Sequence, residues 1–90
     1  MPKVVMYTKT NCPYCTMAEK LLAARGVKDI EKILIDGNDD LRDEMIGRTG
    51  LRTVPQIFIG ETHVGGFDKL SALDWAGKLI PLLQDELFLN

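Results

Sequence analysis

The chain has 90 residues, 46% apolar and 27% charged, with a net charge of −2. That length supports one hydrophobic core, so a single domain over residues 1–90 is expected. The charge balance offers no basic surface of the kind that binds nucleic acid or anionic lipid, and no apolar run nears the roughly 20 residues of a membrane span.

Residues 3–8, "KVVMYT", form a short, nearly continuous apolar run that suits a strand buried on both faces. The segment "KTNCPYCTMA", residues 9–18, follows, and beyond it Ala18, Leu21 and Leu22 recur at helical spacing up to Gly26, a natural C-cap. "EKILID", residues 31–36, reads as a second strand. Leu41, Met45 and Ile46 then share a helical face within residues 38–49, with acids near the N-terminus and Gly50 as the stop. Ile57 to Ile59 make a third strand, Gly60-Glu61 a two-residue turn, and Thr62 to Val64 the return strand. In the last quarter Asp68 is an N-cap candidate for "KLSALDWAG", and Trp75 is expected to pack with Leu70 and Leu73. Gly77 interrupts, and Pro81 is expected to open a final turn through "LLQDEL", residues 82–87. The order β-α-β-α-β-β-α predicts an α/β fold, with parallel pairing first, a closing hairpin, and helices on both faces of a mixed four-stranded sheet.

Both cysteines of the chain, Cys12 and Cys15, lie where the first strand gives way to the first helix. One disulfide closing so short a loop would add little stability, and a secreted, disulfide-stapled domain of this size needs several. "MPKVVMYT" has too short an apolar stretch for a signal peptide, so a cytoplasmic location is expected. Pro13 fits the first helical position, which puts Cys12 at the N-cap with its sulfur near the N–H groups of Tyr14 and Cys15. Those donors and the helix dipole favour a thiolate at Cys12, and Lys9 adds a nearby cation. Cys15, a turn inside, is expected to be more buried, so Cys12 attacks and Cys15 resolves.

A fall in thiol pKa from about 8.5 to about 5 raises the thiolate fraction at pH 7 about 30-fold, while intrinsic nucleophilicity drops about as much. The net gain is in departure, because a stabilised thiolate leaves a mixed disulfide more readily. A C-x-x-C pair also serves zinc, but zinc ordinarily takes four ligands, and the remaining candidate, His63, sits far along the chain and reads as a solvent-facing strand residue. No resident metal is expected.

Three motifs go further: "CPYC" at 12–15, "TVP" at 53–55 and "GGFD" at 65–68, in that order. With them the whole chain resembles a dithiol glutaredoxin of the small bacterial type. The resemblance implies a thioredoxin-like fold and a glutathione-dependent thiol–disulfide oxidoreductase with no tightly bound cofactor, glutathione serving as co-substrate. It implies Cys12 as nucleophile and Cys15 as resolving thiol, a cis bond at Val54-Pro55, and Val54 backbone contacts to the cysteinyl part of glutathione beside Thr53.

By the same resemblance, Gly66, Phe67 and Asp68 receive the γ-glutamyl end, with Gly65-Gly66 allowing close approach. Lys9 and Arg42 receive the glycine carboxylate, and Tyr14 lies beside the bound sulfur. Arg52 is either a further electrostatic aid or a surface cation, and Gln56 has no assigned role. The implied partners are glutathione and glutathionylated or disulfide-containing proteins, ribonucleotide reductase among them, acting on a monomer. A thioredoxin-type reductant fed by a flavoprotein reductase and a glutathione-ligated iron–sulfur carrier are the rival readings.

Overall fold

Along the first strand, β1 (Val4–Thr8), Val4 and Met6 face one hydrophobic cluster while Val5 and Tyr7 face another. A strand covered on both sides is why its sequence is continuously apolar rather than alternating. The computed structural model describes residues 1–84. The further elements are α1 (Pro13–Ala24), β2 (Glu31–Leu34), α2 (Asp39–Thr49), β3 (Gln56–Ile59), β4 (Thr62–Gly65), α3 (Phe67–Trp75) and α4 (Leu79–Leu83). The sheet has four strands in the order β2-β1-β3-β4. β1 pairs parallel with β2 and antiparallel with β3, and β3 pairs antiparallel with β4. This is the expected mixed sheet, with β2 shorter than the six residues read from the sequence.

Ala18 and Leu22 of α1, Leu70 of α3, and Leu79 and Leu83 of α4 pack with Val4, Met6, Ile57 and Ile59. On the opposite face Met45 of α2 packs with Tyr7, Ile35 and Phe58, and Leu41 and Ile46 flank it. The helix ends obey local rules. The Asn38 side chain accepts a 3.1 Å bond from the Leu41 N–H at the start of α2, and Gly50, at φ 72°, ends it. After α3, the Lys78 N–H bonds to the Leu73 carbonyl at 2.9 Å across Gly77, whose φ is 71°. Among the described residues, no helix is long and apolar enough to cross a membrane.

Three expectations for the last quarter need correction. Asp68 is not the N-cap of α3. Gly66 holds that place and Asp68 stands in the first turn, where the helix dipole favours a carboxylate without capping geometry. Trp75 does not pack: it is 89% exposed, whereas Leu70 is buried. Five helical positions beyond Leu70, Trp75 is rotated about 140° from the face that meets the sheet. A separate helix, α4, begins at Leu79, so Pro81 is its third residue rather than its opener, still within the turn whose N–H groups have no helical partner. Residues 85–87 of the expected final turn lie outside the described residues.

The hairpin between β3 and β4 turns at Gly60-Glu61 as expected, with Gly60 at φ 58° and Ile59 paired to Thr62. Its register then slips: Phe58 pairs with His63 but Ile57 with Gly65, so Val64 is the extra residue of a bulge. The bulge ends at Gly65, φ 111°, a conformation that L side chains avoid. A Cβ there would lie 3.2 Å from Lys69 Cγ, a flexible group that can move aside, so the backbone sets the cost. Gly65→Ala is therefore expected to lower stability by about 1–3 kcal/mol, read from the urea midpoint at constant m-value.

At the far ends of α1 and α3, Arg25 donates from Nε and Nη2 to the two carboxylate oxygens of Asp74 at 2.6 and 2.7 Å. Those hydrogen bonds, with the guanidinium charge, hold the Asp74 carboxyl below its ordinary range. A carboxyl depressed in the folded state adds stability above its unfolded value and loses it as pH falls through the folded one. Acid unfolding should thus steepen below about pH 4, and Asp74→Asn should lower stability at pH 7 while flattening that acid limb. Urea midpoints at pH 7 and pH 3 check this. A variant losing as much on acidification as the parent would remove the assignment.

Candidate active site

The chain leaves β1 through Asn11, the one described non-glycine residue with positive φ, at 56°. Asparagine tolerates that conformation, and it turns the strand end into the helix start. Cys12 is then extended (φ −113°, ψ 101°), Pro13 is the first helical residue, and Cys12 Sγ accepts a 3.2 Å bond from the Cys15 N–H. One backbone donor reaches the sulfur rather than the two expected. Cys12 and Cys15 are joined as a disulfide with Cα atoms 5.2 Å apart, the oxidised state of the pair. Cys12 is 8% exposed and Cys15 2%, so both are mostly covered, with Cys12 the more accessible.

Tyr14, between the two cysteines, opens onto a groove of about 660 Å³ whose lining includes neither cysteine. Tyr14 lines it from α1, Thr53, Val54 and Pro55 line it from the segment before β3, and Gly66, Phe67 and Asp68 line it from the start of α3. The Val54-Pro55 bond is cis. Tyr14 and Phe67 face each other across the α1–α3 junction, ring centroids 6.3 Å apart with planes tilted 33°. No side chain caps α3, so the N–H groups of its first turn are left for solvent or a ligand.

Lys9 and Arg42 are not among the residues lining this groove. Lys9 stands near Asp36, whose carboxyl is held below its ordinary range first by hydrogen bonds from the Thr10 side chain and N–H, with the Lys9 charge adding to them. The 3.2 Å bond from Thr10 N to Asp36 Oδ2 ties the segment after β1 to the end of β2. Arg42 is half-buried in the first turn of α2, its N–H bonded to the Asn38 carbonyl.

The groove also takes in Leu51, Lys69, Gln56 and His63, none of which the sequence reading placed there. Gln56 had a readable signal: it is the polar member of the strand "QIFI", all of whose residues are buried. His63 is exposed as expected, yet its ring bonds to Gln56 at 2.8 Å and lies on Phe58, centroids 4.9 Å apart.

Comparison with known proteins matches the glutaredoxin family model over residues 4–64. A glutaredoxin of Pseudomonas aeruginosa is 55% identical over 83 residues, covering 92% of this chain and 98% of that one. Glutaredoxin 3 of Escherichia coli is 52% identical over 84 residues, covering 93% of this chain and all of its own. Among solved structures, a buckwheat glutaredoxin–glutathione complex superposes with a TM-score of 0.85 at 34% identity, over 93% of this chain and 78% of that one. Whole-length identity, matching fold and a cysteine pair at the helix start agree: the chain belongs to the glutaredoxin family.

Proposed function

We propose that this glutaredoxin reduces protein–glutathione mixed disulfides through Cys12 alone and protein disulfides through Cys12 with Cys15. The observation that carries the reading is a joined Cys12–Cys15 pair at the N-cap of α1, beside a groove bounded by Val54-Pro55 and by the uncapped start of α3. A glutathione moiety fits that groove chemically. Its cysteinyl backbone pairs with the Val54 backbone as an added strand, and its γ-glutamyl carboxylate meets the N–H groups at Phe67 and Asp68. Asp68, freed from capping, faces the γ-glutamyl ammonium. Lys9 and Arg42, which stand outside the groove lining, act on the glycine carboxylate through their charge alone.

In the first route the Cys12 thiolate attacks the glutathionyl sulfur of a modified protein. The protein thiol departs with a proton from solvent, and Cys12 keeps the glutathione as a mixed disulfide. A second glutathione thiolate attacks the bound glutathione's sulfur, giving glutathione disulfide and regenerating Cys12. In the second route Cys12 attacks a protein disulfide, and Cys15 then attacks Cys12 Sγ. That releases the protein dithiol and leaves the Cys12–Cys15 disulfide, which two glutathiones reduce in turn. The protein acts as a monomer, and ribonucleotide reductase is among the disulfide proteins within its reach.

Cys12→Ser should abolish both activities in a glutathione-coupled assay. Cys15→Ser should keep reduction of a glutathionylated peptide within about threefold of the parent while losing reduction of a protein disulfide. Activity surviving in Cys12→Ser would end the mechanism.

A further inference from the structure

Gln56 is 1% exposed, and every polar atom of its side chain has a partner. Its Nε2 lies 3.0 Å from the Thr53 carbonyl and 3.3 Å from Thr53 Oγ1, while its Oε1 lies 2.8 Å from His63 Nε2. The orientation of this chain is fixed by chemistry. A carbonyl oxygen only accepts, so the amide atom facing Thr53 must be the nitrogen. The amide oxygen therefore faces His63, and His63 Nε2 must carry a hydrogen and donate. The His63 ring is itself held, stacked on Phe58 with the planes tilted 31°, and the Arg48 guanidinium lies 4.0 Å from the Phe58 centroid.

From these contacts we infer that Gln56 and His63 are positioning residues of the glutathione subsite, acting through the Thr53–Val54 peptide. The inference rests on the reading above that Val54 presents its backbone to glutathione. A trans peptide is planar, with its C=O and N–H pointing to opposite sides. Holding the Thr53 carbonyl on the Gln56 amide therefore fixes the plane of that peptide and, with it, the direction of the Val54 N–H, at a segment that lines the groove. Gln56 thus closes a loop over Pro55 and stops the ligand-pairing peptide from rotating. His63 fixes the Gln56 amide, so it acts only through Gln56. Neither residue touches the reacting sulfurs.

The test compares pre-reduced protein reacting with a glutathionylated peptide and with a small symmetric disulfide lacking the γ-glutamyl and glycyl arms. Gln56→Leu should slow the first reaction about 3- to 10-fold, the weight of one positioning hydrogen bond, and leave the second unchanged. His63→Phe keeps a ring on Phe58 but removes the donor, and should slow the first reaction about 2- to 3-fold. In the double variant the His63 effect should vanish, leaving the rate of Gln56→Leu alone. A purely structural role would instead slow both reactions together or add across the two sites. Should Gln56→Leu fail to fold, His63→Phe, on the exposed edge strand, carries the same comparison. If the parent prefers the glutathionylated peptide and either folded variant keeps that preference intact, the inference is wrong. If the parent shows no preference at all, the glutathione reading itself has failed.

Discussion

The site depends on one pairing, the antiparallel register of β1 with β3. Tyr7 lies opposite Gln56, so the end of β1 that leads to Cys12 sits beside the start of β3 that follows Val54-Pro55. The second antiparallel pairing does the same for a third segment, placing Gly65 opposite Ile57 and so bringing the start of α3 to the same edge. Segments more than 40 residues apart in sequence therefore meet without any long loop reaching across the molecule. A one-residue slip in either pairing would turn Tyr7 or Phe58 to the wrong face and separate the cysteines from the groove.

The two helix starts at that edge divide the electrostatic work. The influence of a helix terminus fades within its first turn, so one terminus cannot serve two anions several ångströms apart. The start of α1 is spent on Cys12, whose sulfur already accepts the Cys15 N–H in the oxidised state. A donor so placed would stabilise a sulfur anion there, and in general a stabilised thiolate leaves a mixed disulfide more readily than it attacks one. The start of α3 has no side-chain cap and stays available for a carboxylate.

How far the sequence disclosed this follows from how local each signal is. Strand, proline-started helix and glycine stops were legible because each is written within a few adjacent residues, as at Pro13, Gly50 and Gly60-Glu61. The motif segments at 53–55 and 65–68 were legible through family likeness, and they do line one groove with Tyr14. What escaped depended on partners distant in the chain or on small rotations. Gly66 rather than Asp68 takes the N-cap of α3 just after the bulge at Val64, and the angular position of Trp75 on α3 sends it to solvent. Gln56, just before the strand read from Ile57, had no assigned role until Thr53 and His63 were seen on its two ends.

The parallel setting of α1 and α3 is held at both ends by different chemistry. Near the site the contact is Tyr14 against Phe67, an apolar pair on a partly open surface. At the other end it is the two-pronged Arg25–Asp74 pair. Arg25 caps the C-terminus of α1, where a cation suits the dipole; Asp74, in the last turn of α3, does not suit its own. An acid in that unfavourable place is retained because Arg25 answers it with two directed bonds, which fix the axial register of the two helices as a flexible apolar contact cannot. The Arg25–Asp74 pair is thus a polar tie between the two helices whose starts carry the cysteine pair and line the groove.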